Sequence, residues 1–498
     1  MRSVIDPQMK FGETDIGAIV LDAKSRDDIP QILRGLQYIY TEPALRECVF
    51  AILQEVLPDR VGAPGKANPT TGRPGMEQWK ILVLGVLRLG LNIDYDRLQE
   101  LANQHSTLRQ MLGHSHWADA SYYELQRLKD NISLFTPQIL DRINQAVVHA
   151  GHQALKKSLD EGLQARCDSF VVETDVHFPT DINLLWDAIR KTLQTCARWS
   201  QAYGLSEWRQ SAYHLRQFKQ RYRPIQKLKH STSQDASKRQ AKEAAIRAAH
   251  REYLELAEGY VQRARRTRQH LQTACGVPGV LLAELEAYIG HAERQIDQIR
   301  RRVLQGEQIP HQEKVLSIFQ PHTEWISKGK AGVPVELGLR VCVVEDQHRF
   351  ILHHQVMEKT TDDAIAVPIV AQTLARFPQL QAVSMDKGFH SSDNQAQLKA
   401  MLECVVLPRK GRLSEADKVR EAEPEFVHLR RQHSAVESAI NAREVHGLDK
   451  CPDHGIHGFK RYVALAVGVR NIQRLGAVLR EQDQQKIKRR RGPYQKAA

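Results

Sequence analysis

The strongest constraint on the fold is a change of hydrophobic period at Leu163, followed by a long delay before that period returns. Residues Leu163–Phe178 are rich in β-branched and aromatic side chains and are closed by Pro179, Thr180 and Asp181. That pattern predicts a largely buried strand. From Asn183 to about Pro310 the pattern is helical, and strand pattern resumes only at Val333. One strand has no stability alone, so the Asp168 strand must pair with strands beyond 333. The helical stretch must then leave and re-enter the sheet with its Asp181 and Pro310 ends close together.

Within that stretch Leu282, Leu285, Ile289, Ala292, Ile296, Ile299 and Val303 step by threes and fours, the spacing of an a/d seam. Ile246, Ala249, Tyr253, Leu256 and Tyr260 repeat it before a Gly-Pro-Gly break at 276–279. The two segments therefore predict an antiparallel helical hairpin, preceded by helices at 184–202 and 207–222. A basic run lies between: Arg209, Arg216, Lys219, Arg221, Arg223, Lys227, Lys229, Lys238, Arg239 and Lys242. A solvated face normally mixes signs, and here acids are nearly absent, which points to nucleic-acid phosphates. Lys227, Lys229, Lys238, Arg239 and Lys242 are the expected contacts.

After 333 the expected order is a hairpin (335–344, 349–357), a helix (361–377), a strand ending at Asp386, a helix (391–402) and a strand (403–408). A basic loop with Arg409, Lys410 and Arg412 follows. Next comes a helix spanning Arg430–Glu444 that carries Glu437, and then an apolar helix at 459–480. Before the Asp168 strand, helices are expected from Asp28 to Leu57 and from Gly75 to Gly113. The second group has the short-helix, short-turn form of a helix-turn-helix module or of a small bundle. The first twenty-five residues read as partly disordered and the Lys486–Arg491 tail as disordered.

At 498 residues the chain is too long for one ordinary domain, and its formal charge of +13 favours a polyanionic partner. Seven cysteines are scattered without Cys-x-x-Cys spacing, as expected of reduced thiols in the cytoplasm. Cys451, His454 and His457 lack a clear fourth zinc ligand. No apolar run is long enough to span a bilayer, so no membrane partner is expected.

With residues 183–310 set aside, the order of elements is that of the ribonuclease-H-like fold, a mixed α+β or α/β architecture. In that fold the first and fourth strands are neighbours, which would bring Asp168 and Asp386 together, and the later helix would deliver Glu437. Three converging carboxylates repel one another unless cations neutralise them. Mg²⁺ suits the all-oxygen donor set. Glu173 and Asp175 compete with Asp168 for the first position, and their odd numbers point them to the opposite strand face.

The Val383–Phe389 stretch, the Asp168–Thr174 strand running into His177–Asp181 and the Glu437 helix resemble DDE-type bacterial insertion-sequence transposases, nearest the ISNCY type. The likeness covers nearly the whole chain, including the 42–113 helices. It implies Asp168, Asp386 and Glu437 as a metal-binding triad for two Mg²⁺ ions, with Mn²⁺ able to substitute. The implied reaction is cleavage of DNA at terminal inverted repeats and strand transfer to a target. His433 and Glu444 stand where many relatives have Arg and Lys, so Arg430, Arg431 or Arg443 becomes the candidate phosphate contact. Lys387, Arg409 and Lys410 are further DNA-facing candidates. The implied organisation is a helical DNA-binding domain (1–160), a catalytic domain (161–182 and 311–480), a helical insertion (183–310) and a basic tail (481–498). A homodimer or larger assembly on double-stranded DNA, in a bacterial cytoplasm near the nucleoid, completes the expectation. The competing reading is a Mg²⁺-dependent nuclease of the same fold that cuts and does not join.

Overall fold

The structure is a computed structural model. It describes residues 3–6, 8, 11–56, 75–115, 121–156, 162–228, 230, 232–327, 334–434 and 447–490. The chain divides into two compact units, one of Met1–Asp175 with Glu324–Ala498 and one of Val176–Thr323. Among the described residues no helix is long and apolar enough to cross a membrane.

The first unit mixes helices with one sheet. It begins with α1 (Asp28–Thr41), α2 (Pro43–Gln54), α3 (Gln78–Gly90), α4 (Tyr95–Gln104), α5 (Ser106–Met111), α6 (Leu125–Ile132) and α7 (Pro137–Ala154), then β1 (Leu163–Thr174). Local chemistry marks several starts. The Asp27 and Thr136 side chains accept from Ile29 and Ile139 backbone N–H groups, and Pro43 and Pro137 open their helices.

The second unit is helical in its described elements: α8 (Asp181–Ala202), α9 (Ser211–Lys227), α10 (Ala236–Thr273) and α11 (Ala283–Ile299). Its core is the expected seam. Leu285, Ile289, Ala292, Ile296 and Ile299 of α11 pack with Tyr253, Ala257, Tyr260 and Ala264 of α10 and with Leu185, Ile189 and Leu193 of α8. Phe218 of α9 stacks on Tyr253 at 4.5 Å and on Trp186 at 5.8 Å, a three-ring sandwich joining three helices.

The chain then returns to the first unit with β2 (Glu324–Ser327), β3 (Val335–Asp346), β4 (Ile351–Met357), α12 (Asp362–Arg376), β5 (Leu380–Met385), α13 (Ser392–Met401), β6 (Cys404–Val406), α14 (Glu415–Ala422), α15 (Pro424–Ser434), β7 (Lys450–Cys451) and α16 (Gly455–Arg490). The sheet order is β2-β3-β1-β5-β6, with β4 also on β3 and β7 also on β1. β3 is antiparallel to β1, β2 and β4, whereas β5, β6 and β7 run parallel to their partners.

One main core serves this unit, from Val4 through the α1, α3 and α7 faces and the sheet to Leu479, and a small separate cluster of Ala382, Val406, Phe426 and Leu429 holds α15 to β5 and β6. The helices before β1 thus belong to the same compact unit as the sheet. α16 is the hub. A Cβ on Gly35 of α1 would lie 2.3 Å from the Ile472 carbonyl oxygen, and one on Gly476 would lie 2.0 Å from that of Gln31. The two helices cross backbone to backbone, which only glycine permits. Asn471, fully buried, donates to Asn144 Oδ1 (2.6 Å) and to Ile351 O (2.8 Å) and accepts from Ile351 N (2.9 Å), pinning α7, α16 and the start of β4 together.

Several expectations are corrected. The first strand stops at Thr174, before Phe178. The N-terminal stretch is ordered where described: Val4, Ile16 and Ile19 join the core, and the Ser3 and Val4 carbonyls accept from Gln78 and Trp79 N–H at the start of α3. α3 is buried at every position except Lys80, apolar on all sides and not on one face. The last helix runs on to Arg490, because Gln, Glu and Lys are good helix formers and no Gly or Pro intervenes. β2, β7 and α14 were not expected.

Candidate active site

β5 pairs in parallel with β1 up to Cys167 opposite Met385. Asp386 continues that strand in extended conformation, with φ −79° and ψ 165°. Asp168 and Asp386 therefore stand side by side on neighbouring chains, about 5 Å apart at the backbone. Both lie on the face shared by Arg166 and Ser384, themselves a register pair. Asp386 is exposed and Asp168 half-buried. The backbone N–H of Ser169 donates to Asp168 Oδ1 at 2.8 Å.

At this point the sheet has a notch. β5 leaves β1 at Cys167, and β7 joins the same edge only at Glu173 and Thr174. Among the described residues no strand fills the interval. Two carboxylates thus stand beside an interrupted ladder.

α15 is tethered to the same place. Arg166 donates to the Gln432 carbonyl at 3.3 Å while its guanidinium is held by the buried Glu345 at 2.7 Å. His433 Nδ1 lies 3.1 Å from Ser384 Oγ. Burial pushes the His433 imidazole below its usual value, against the pull of the Asp386 carboxylate. The described part of α15 thus ends next to Asp386. Glu437, three residues further on, lies outside the described residues, as do Arg443 and Lys229.

The first-strand alternatives separate by position. Glu173 takes the opposite parity from Asp168, and its backbone pairs with β7. Asp175 lies beyond the strand and bonds Lys450 Nζ at 2.6 Å. Asp168 alone of the three is level with Asp386.

A third described carboxylate approaches from the other side of the sheet. Asp362, in the first turn of α12, accepts from Ser169 Oγ at 2.7 Å and lies 3.8 Å from Arg340. A Cβ on Gly388 would be 3.3 Å from it. In the sequence Asp362 reads simply as a helix-start acid; only the fold puts it beside the residue following Asp168. Among the described residues no set of three His, Cys, Asp or Glu side chains is gathered to hold a metal ion.

The basic candidates divide. Lys387 and Lys410 are exposed near the strand ends. Arg409 is instead ion-paired with Asp417, whose carboxyl is held below its usual range by the Ser414 hydroxyl and by that guanidinium. Arg430 lies 3.4 Å from Glu421, and Arg431 is exposed. Lys227, Lys238, Arg239 and Lys242 belong to the other unit. The first three are exposed, Lys238 lies 3.8 Å from Asp235, and Lys242 is half-buried.

Comparison with known proteins returns no matching family model, no matching curated protein and no matching solved structure.

Proposed function

We propose that the chain is a DDE-type transposase that cleaves DNA at the ends of its element and joins them to a target. The observation that carries this reading is the position of Asp168 and Asp386, each one residue beyond the last β1–β5 pair, Cys167 with Met385, with the end of α15 tethered beside Asp386. A ribonuclease-H-like reading of the core is supported by an antiparallel β1-β3-β4 arm and a parallel β1-β5-β6 arm around a central β1. The position of the Val176–Thr323 unit, between β1 and the remaining strands, accords with a helical insertion in such a core.

The donor set fits a hard divalent cation, because carboxylate oxygens are its preferred ligands. Asp168, Asp386 and Glu437 would hold Mg²⁺, which when bound activates an attacking water or 3′-hydroxyl and stabilises the leaving oxygen. The chain's own part is to position. Ser169 N–H fixes one Asp168 oxygen, Arg166 and Ser384 hold the end of α15, and Lys387 and Lys410 attract the phosphate backbone to the notch.

The test is Mg²⁺-dependent joining of a labelled element-end duplex to plasmid DNA. Asp386→Asn and Asp168→Asn are each expected to lose at least about a hundredfold in cleavage while duplex binding stays near wild type. A variant retaining more than about a tenth of wild-type cutting removes that residue from the site. Cutting by the wild type without joining would make the protein a nuclease of the same fold.

A further inference from the structure

We infer that α9 is a mount for the phosphate backbone of a nucleic-acid duplex, and that its working groups are Arg216, Lys219, Arg223 and Lys227. On a helix turning about 100° per residue, these four fall on one stripe opposite Phe218 and Ile225. All four are exposed, whereas Phe218 and Ile225 are buried. The stripe spans about 16 Å of helix axis. No Asp or Glu occurs between Glu207 and Asp235.

Several arginines elsewhere in the same unit are neutralised by acids: Arg198 by Glu284 at 2.7 Å, Arg265 by Glu293 at 2.6 Å, Arg268 by Glu286 at 2.8 Å, Arg302 by Asp181 at 3.0 Å, and Arg300 by Glu258. Arg247, Arg251, Arg266 and Arg294 are exposed, but they are scattered along α10 and α11 among acidic residues and do not form an acid-free row. Even Arg221, on the flank of α9, has Glu252 at 3.4 Å. Among the described residues the four stripe cations have no acidic partner, so their charge is available to a ligand. The stripe is also held stiffly. Phe218 is clamped between Trp186 and Tyr253, and Lys219 lies 5.8 Å from the Trp186 ring. A rigid row of cations on one helix matches a duplex, which carries one charge per about 1.7 Å of axis. Contact of this kind ignores base sequence.

The inference rests on the reading of a DNA substrate but not on the cleavage chemistry, so binding is measured without divalent metal. The full chain is titrated against a random-sequence duplex over a salt series by fluorescence anisotropy. Replacing Arg216, Lys219, Arg223 and Lys227 together by Gln is expected to weaken binding about tenfold or more at 0.1 M salt. It should flatten the log–log salt slope by about 0.9 per lost contact. Single changes, such as Arg223→Gln, should flatten it by one step each, which decides the matter if the quadruple variant fails to fold. The double change Arg198→Gln with Glu284→Gln should leave the slope alone. A wild type that binds duplex with a slope unaltered by the stripe variants overturns the inference and leaves the substrate reading intact. A wild type with no duplex binding defeats both. Loss of binding to phosphatidylserine vesicles, with duplex binding preserved, would also overturn it and assign the stripe to a membrane surface.

Discussion

His177 carries more information than its place in a connecting loop implies. Its Nε2 faces Asp187 at 2.6 Å and its Nδ1 faces the Phe178 carbonyl at 3.2 Å, so both nitrogens meet acceptors and the doubly protonated ring satisfies both. Its pKa is raised, chiefly by the Asp187 hydrogen bond. The stabilisation is therefore complete below the unfolded value of about 6.5 and is lost as pH rises through the higher folded value. We expect the melting temperature of the Val176–Thr323 unit to fall as pH rises above about 6.5, and His177→Gln to flatten that part of the profile. An identical profile in the variant would rule out the linkage. At this scale the candidate site was half legible. Asp168 was readable because a carboxylate in an otherwise apolar strand demands a reason, and Asp386 only through the order of elements and the family resemblance. Asp362 and Ser169 were not, because their meeting depends on how α12 lies against β1, which no local pattern encodes. The Arg409–Asp417 pair escaped for the same reason: a basic loop looks free until its acid is located.

At the scale of elements, periodicity was a good guide where burial was one-sided and a poor one elsewhere. The α10–α11 seam was plain in the spacing of its apolar residues. α3 offered little to read, since a helix apolar on every side has no face to interpret. β2 and β7, four and two residues long, exist because β3 and β1 offer them an edge, and their own composition is too short to announce a strand. Glycines inside helices were equally opaque. In α1 and α16, Gly35 and Gly476 sit where two backbones touch, whereas Gly259 of α10 and Gly290 of α11 have nothing within 4 Å of an added Cβ. Helix propensity alone predicts that Ala improves all four by about 1 kcal/mol. We expect the reverse for Gly35→Ala and Gly476→Ala, a loss of about 1–3 kcal/mol from forced separation, with Gly259→Ala and Gly290→Ala neutral or stabilising. Denaturant midpoints of the four variants measure this, and equal behaviour would refute the close crossing.

For the molecule as a whole, the two main hydrophobic cores predict independent melting. Phe218→Ala removes the centre of the Trp186–Phe218–Tyr253 sandwich and should cost about 3–5 kcal/mol. In calorimetry we expect two transitions, only one of them lowered by this change; a single transition moving as one would contradict the division. The same division has a consequence for how the protein is made. The Val176–Thr323 unit is one continuous stretch of chain and can close as soon as it leaves the ribosome. The other unit cannot, because α16 supplies the partner surface for α1, α3, α7 and β4. Synthesis proceeds at about 5–20 residues per second, so the apolar sides of α1, α3 and α7 wait for tens of seconds, uncovered, until Phe459–Leu479 arrives. A message broken before α16 yields a product with one folded body and one sticky, unclosed shell.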